Sequence, residues 1–109
     1  MIDGLVAGRV QGDPEERKGR GDTPYVVARV RAQTGDGDAL IVNVIAFDNA
    51  PCSQLLALRD GDSVALSGGL TPKVWTDKQG NVKPALDMVC LRVLSSTAGR
   101  EGDASNFTR

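Results

Sequence analysis

The 109-residue sequence predicts one all-β domain, a five-stranded barrel with one short helix between strands 3 and 4. Three observations predict this architecture. Five segments alternate apolar and polar residues with the period of two that a half-buried strand shows. Turn signals rich in glycine and aspartate separate the segments. One stretch between the third and fourth segments changes to a helical pattern. These features do not by themselves distinguish a barrel from a small β-sandwich.

The first three predicted strands cover residues 2–12, 24–34 and 39–47. Gly4 and Gly8 indicate a bend or a close backbone approach in the first strand. The stretch EERKGRGD after it is predicted to be a charged loop punctuated by glycine. Gly35–Asp38 is a tight hairpin signal between strands two and three. The third strand, ALIVNVIAF, is nearly apolar on both faces, so we expect it to be buried or paired with another subunit.

The segment DNAPCSQLLALRDG predicts a helix of about two turns. Asp48 or Asn49 can cap its start, Pro51 suits its first turn, and Gly61 closes it. Its apolar face consists of Leu55, Leu56 and Leu58.

The fourth and fifth strands are predicted at residues 62–72 and 84–94, joined by a hairpin that contains TPKVWTDKQGNVKP. The remaining stretch, residues 95–109, is small and polar and offers nothing to a core. It is predicted to be a disordered tail, which leaves residues 1–94 as the domain.

The composition argues against catalysis. The chain has no histidine, which removes the commonest general base and metal ligand. Cys52 and Cys90 stand 38 positions apart, outside metal-ligand and redox spacings, so they are expected to be free, buried thiols. We expect no enzyme activity, no cofactor and no metal. With no signal peptide or membrane-spanning run evident, the expected location is the cytoplasm.

Trp75 is the only tryptophan, and it lies beside Lys73 just before a turn. Proteins bind single-stranded nucleic acid with aromatic rings, on which the bases stack, and with positive charges, which attract the backbone. Trp75 and Lys73 could supply both. From period and neighbours alone, base stacking and packing (against the core or a subunit) remain about even for Trp75. For Phe47, core packing is as good an interpretation as ligand contact. Arg29 and Arg31 share one strand face that could be merely solvated.

Four stretches together resemble the bacterial single-stranded-DNA-binding protein family over about residues 2–94: GLVAGRVQGDPEER, VARVRAQT, VNVIAF and DGDSVALSGGLTPKVWTDKQGN. The related primosomal protein N group shares the fold and strand order. The resemblance implies an OB-fold that assembles into homodimers or homotetramers and binds single-stranded DNA in replication, recombination or repair.

The resemblance implies roles for individual residues. Trp75 and Phe47 match positions that stack bases, and Lys73 matches a basic position beside that tryptophan. Arg29 and Arg31 fall on the ligand-facing side of strand two, and Arg9 falls likewise on strand one. With Lys78 and Lys83, these cations are expected to line a path for the DNA backbone, and binding is expected to be salt-dependent and largely independent of sequence. Arg17, Lys18 and Arg20 of the charged loop are further candidates for phosphate contact.

Three departures separate the chain from the family pattern. The hairpin TGDGD is short where the family has a long one with another stacking tryptophan, and Ile41 stands where the family commonly has tryptophan. The family's acidic tail is absent, so recruitment of replication or repair proteins through it is in doubt. The alternative function is therefore an accessory OB-fold interaction module with weak or lost nucleic-acid binding, whose apolar third strand and Trp75 serve a protein partner.

Overall fold

The computed structural model of the chain describes residues 1–97. In this range the chain forms six strands, one α-helix and one short 3-10 turn at Arg20–Asp22. The elements are β1 (Ile2–Val10), β2 (Glu15–Lys18), β3 (Pro24–Gln33), β4 (Ala39–Ala46), α1 (Asn49–Leu56), β5 (Ser63–Thr76) and β6 (Val82–Thr97).

The strands form one sheet in the order β1-β5-β6-β4-β3-β2. Because β1 also pairs with β3 through Arg9 and Val10, five of the strands close into a ring, and β2 lies outside it on β3. All pairs are antiparallel except β4 with β6. The prediction of a mostly β chain is confirmed, with six strands rather than five in the described range.

The alternating residues of the strands build one core inside the ring. Val26, Val30, Val42, Leu66 and Met88 are fully buried. Helix α1 adds Leu55, which is also fully buried, and Leu58 follows just after it. Cys90 is buried and Cys52 is half-buried; both are free thiols, as predicted, and burial raises the pKa of each.

Strand β2 corrects the prediction of a charged loop. All four of its residues, Glu15–Lys18, are exposed, yet they pair with Pro24–Val27 of β3. A strand with no buried face leaves no apolar period in the sequence, so only its backbone hydrogen bonds define it.

Strands β5 and β6 are longer than predicted. The antiparallel pairing continues to Thr76 and Val82, and the turn is confined to residues 77–81. Strand β1 pairs with β5 only as far as Leu70, so beyond that residue one edge of β5 is unpaired. Pro72, which has no backbone N–H, is tolerated there. Strand β6 also continues to Thr97, three residues into the predicted tail. Residues 98–109 lie outside the described range, so the domain boundary stays a prediction.

Helix α1 ends earlier than predicted. It stops at Leu56 with Ala57 as its C-cap, whereas Gly61 belongs to the next turn. Gly61 has a φ of 91°, and its N–H donates to the Val10 carbonyl at 2.8 Å. Its left-handed conformation therefore returns the chain to β1 rather than closing the helix.

Two glycines allow strands to approach closely. A Cβ on Gly8 would stand 2.4 Å from the Arg31 carbonyl oxygen, which confirms the predicted close approach in β1. A Cβ on Gly68 would stand 1.9 Å from the Val89 carbonyl oxygen. Beside Gly68 the β5–β6 register shifts twice, and each shift leaves one leucine of β6 without a partner: Leu91 and Leu94.

Candidate nucleic-acid interface

The β5–β6 hairpin projects beyond the ring and carries Trp75. Residues 71–76 are exposed on both faces of the strand, which means that no part of this segment contributes to the core. Trp75 is 48% exposed, lies outside the buried core cluster and faces Lys83 across the hairpin. Its neighbour Val74, on the opposite face, is 72% exposed. Within a single chain the indole is thus open to a ligand or a partner.

Asp77 fixes the turn that ends this hairpin. Its carboxylate accepts the backbone N–H of Asn81 at 2.8 Å and of Gln79 at 2.9 Å. The hydrogen bond from Asn81 is the main cause that lowers the pKa of Asp77 below 3.8, and the charge of Lys83 contributes a smaller lowering. Gly80 supplies the left-handed residue, with a φ of 84°. Lys78 is thereby held at the tip of the hairpin.

A concave cleft of about 740 Å³ lies on the outer face of β3, β4, β6 and β5. A row of cross-strand neighbours runs over it: Arg29, Asn43, Asp87 and Thr71. The charged residues that line the cleft are two arginines and three carboxylates: Arg17, Arg29, Asp13, Glu15 and Asp87. The lining therefore has a formal charge of −1, and Lys73, whose ammonium pairs with Asp87, brings the total to zero, so this cleft alone does not attract a phosphate backbone.

Lys73 is paired with a carboxylate that the sequence did not reveal as part of the site. Its Nζ lies 2.6 Å from Asp87 Oδ2, and Asn43 Nδ2 donates to Asp87 Oδ1 at 3.4 Å. The Asp87 side chain is 34% exposed. The sequence signal for Asp87 is the period of two in the fifth predicted strand, which places Asp87 on the outer face with Val89. This period does not predict the partners of Asp87, because they depend on the register between strands.

Phe47 lies at the other end of this outer face. It is 54% exposed, and its ring centroid stands 6.2 Å from that of Tyr25 in a tilted arrangement. The parallel register of β4 and β6 separates Phe47 from the row that contains Trp75 by about eight residues along β6. At the rise per residue of a strand, this is a distance of roughly 25 Å. Tyr25 gave no functional signal in the sequence, although period two places it on the same face of β3 as Arg29.

Arg9 and Arg31 form a second group, away from Arg29. They are direct cross-strand partners of β1 and β3 and line a cleft of about 620 Å³. In the described chain they are the charged residues of that cleft, which otherwise presents Gln33 and hydroxyls such as those of Ser63 and Ser95. Arg9 Nη1 also donates to the Gly61 carbonyl at 3.0 Å. The predicted cations are thus divided between two clefts and the hairpin rather than aligned along one path.

Of the remaining candidates, Arg17 lines the first cleft and pairs with Glu15 at 3.3 Å. Lys18 ends β2 and Arg20 begins the 3-10 turn, both exposed. Within residues 1–97, no group of three or more potential ligand side chains is placed to hold a metal ion, and no helix is long and apolar enough to cross a membrane.

Comparison of the whole chain places this architecture among known folds. By sequence, no protein-family model and no curated protein matches the chain. Among solved structures, a small single-stranded DNA-binding protein from Streptomyces coelicolor matches with a TM-score of 0.65 and 18% identity, over 84% of this chain and 91% of that one. The mitochondrial single-stranded DNA-binding protein Rim1 of S. cerevisiae matches with a TM-score of 0.68 and 17% identity, over 90% of this chain and 97% of that one.

These likenesses define the class of fold. The ring of five strands with its β5–β6 hairpin is an OB-fold of the type found in single-stranded DNA-binding proteins. The resemblance inferred from the sequence is confirmed at the level of the fold.

Proposed function

We propose that this chain binds single-stranded DNA without catalysis and largely independently of sequence. The observation that carries the proposal is the half-exposed Trp75 on a hairpin that projects beside a concave cleft. An exposed indole is a stacking platform that accepts any base, and Lys78 and Lys83 on the same hairpin supply charge for the backbone. The solved structures with this fold, named as single-stranded DNA-binding proteins, support the same function.

Phe47 is the second aromatic platform in this proposal, and the cations are Arg9, Arg29, Arg31 and the three hairpin lysines. Lys73 contributes less charge than its neighbours because Asp87 neutralises it. We assign the protein to the cytoplasm and to DNA replication, recombination or repair, in which single-stranded DNA forms transiently and has to be protected by bound protein.

The chain is also proposed to assemble into homodimers or homotetramers. The third predicted strand is expected to have a second apolar face. Two residues of that face, Ile41 and Ile45, are half-buried within the single chain. Leu5, Leu91 and Leu94 are 62%, 53% and 44% exposed, and apolar side chains so exposed on one small domain favour a covering partner. Sedimentation velocity should show more than one chain per particle at micromolar concentration; a monomer throughout would refute the assembly.

The alternative is an accessory OB-fold module that binds protein. The same exposed leucines and the neutralised Lys73 favour it. The two functions differ in a direct measurement, since Trp75 is the only fluorescent indole in the chain. Titration with a single-stranded oligothymidine should quench its emission, and a duplex of the same length should compete poorly. Unchanged emission and no measurable binding would favour the protein-binding module.

A further inference from the structure

We propose that Asp87 makes one position of the bound strand selective, favouring bases that carry an exocyclic amino group over thymine or uracil. This inference rests on the proposed binding of single strands. It concerns Asp87, which lies in the middle of the first cleft. Neither the stacking of bases nor the attraction of the DNA backbone requires this side chain.

The position of Asp87 directs it toward a base rather than a phosphate. It lies between Asn43 and Thr71 in the row that crosses the cleft. The charged side chains of that cleft and the ammonium of Lys73 beside Asp87 sum to no net charge, whereas the second cleft is lined by two arginines and no carboxylate of the described residues. Phosphates are therefore favoured at the arginine pair and the hairpin lysines, and the uncharged bases are left to occupy the first cleft.

Asp87 is held in place with accepting capacity left over. Each of its oxygens receives one hydrogen bond or ion-pair contact, from Lys73 at 2.6 Å and from Asn43 at 3.4 Å. A carboxylate oxygen has two lone-pair sites, so each oxygen keeps one site for a ligand. A partly exposed carboxylate held by two neighbours is preorganised, and it loses little conformational freedom when a base arrives.

The chemistry of a carboxylate then determines which bases it accepts. Ionised aspartate only accepts hydrogen bonds, so it favours a base edge that donates. Cytosine presents its N4 amino group, and adenine and guanine also carry exocyclic amino groups. Thymine and uracil carry a carbonyl oxygen where cytosine carries the amino group, and the donor that they do present is the ring N3–H. Opposite the exocyclic group at position 4, Asp87 would meet a proton on cytosine and an oxygen on uracil, and uracil would have to shift along the cleft to offer N3–H instead.

The test compares oligodeoxycytidine with oligodeoxyuridine of equal length at mildly alkaline pH. The two strands share a backbone, and both bases are pyrimidines that stack without a methyl group, so their ratio of affinities isolates the base edge. We expect the protein to bind the cytidine strand at least about fivefold more tightly. Asp87→Asn should bring the ratio close to one, because an amide both donates and accepts. It should also strengthen binding of both strands, because it releases the charge of Lys73, so the ratio and not the affinity for one strand is the readout.

Two further variants separate readout from charge. Glu16→Gln removes the same charge from an exposed residue that does not line the cleft, and it should leave the ratio unchanged. Lys73→Gln should weaken both strands and keep the cytidine preference, since the carboxylate remains. Equal affinities in the wild type, or a preference that survives Asp87→Asn, would overturn the role of Asp87 and leave the proposed function intact. Failure to bind either strand would overturn both.

Discussion

Trp75 carries the main prediction at the scale of a single residue. Trp75→Ala should weaken oligonucleotide binding by roughly 1–3 kcal/mol, the usual contribution of one stacked base. Because the indole is half-exposed and lies outside the core, the free energy of unfolding should change by less than about 1 kcal/mol. Filter binding or anisotropy with a labelled strand, and thermal melting of the same sample, measure the two quantities.

Val74→Ala is the matched control, since Val74 is adjacent on the same strand but on the other face. It should leave binding nearly unchanged. If Trp75→Ala instead lowers stability by the 3–5 kcal/mol typical of a buried aromatic, or dissociates an oligomer without affecting DNA, Trp75 is a packing residue.

Asp77 supports a second prediction, which concerns the order of the hairpin tip. Its folded pKa lies below the unfolded value, so its contribution to the turn is fully present above that unfolded value. The contribution is lost as the pH falls through the folded pKa, because the protonated group no longer accepts as strongly from Asn81 and Gln79. Amide hydrogen exchange at these two residues should accelerate in Asp77→Ala at neutral pH. Unchanged protection would mean that the strand pairing alone maintains the turn.

At the scale of the elements, the sequence predicts best those strands that have one buried face. β1, β3 and β4 follow the predicted ranges to within two residues because alternation against the core leaves a clear period. β2 and the outer half of β5 bury neither face, so nothing in their side-chain pattern marks them as strands.

The candidate site divides in the same way. Period two alone puts Trp75 with Lys73, because neighbours along one strand need no knowledge of pairing. It cannot pair Lys73 with Asp87, nor separate Arg31 from Arg29, because both follow from the register between strands distant in sequence. Closure of the ring brings Arg31 to Arg9 on β1 and leaves Arg29 in the other cleft.

The contact of β5 with β6 at Gly68 gives a prediction at this scale. Gly68→Ala would place a methyl carbon 1.9 Å from the Val89 carbonyl oxygen, and backbone cannot move aside as a flexible side chain can. We expect a loss of at least about 2 kcal/mol in the free energy of unfolding, measured by urea denaturation. Gly35→Ala, where the new methyl meets nothing within 4 Å, is the control and should be nearly neutral. A fully stable Gly68→Ala would show that the two strands lie further apart than the structure indicates.

The whole molecule has a formal charge of −1, so its attraction for DNA has to come from how its cations are distributed. Positive charge is most concentrated at Arg9 and Arg31, because these two residues stand directly opposite each other on adjacent strands. Such a pair costs stability by a few tenths of a kcal/mol or more, and an anion between the two side chains would relieve the repulsion. The second cleft is therefore the expected place for the phosphates of the bound strand.

This arrangement predicts opposite effects on stability and on binding. Arg31→Gln removes the repulsion, so its melting temperature should stay the same or rise slightly, while affinity for single strands falls. The slope of log K against log salt should lose roughly 0.7 for each phosphate contact removed. Arg92→Gln removes the same charge from an exposed position that lines neither cleft, and its salt slope should match the wild type. If both variants change the slope equally, the attraction is a diffuse property of the surface; if neither does, the DNA backbone does not reach the arginine pair.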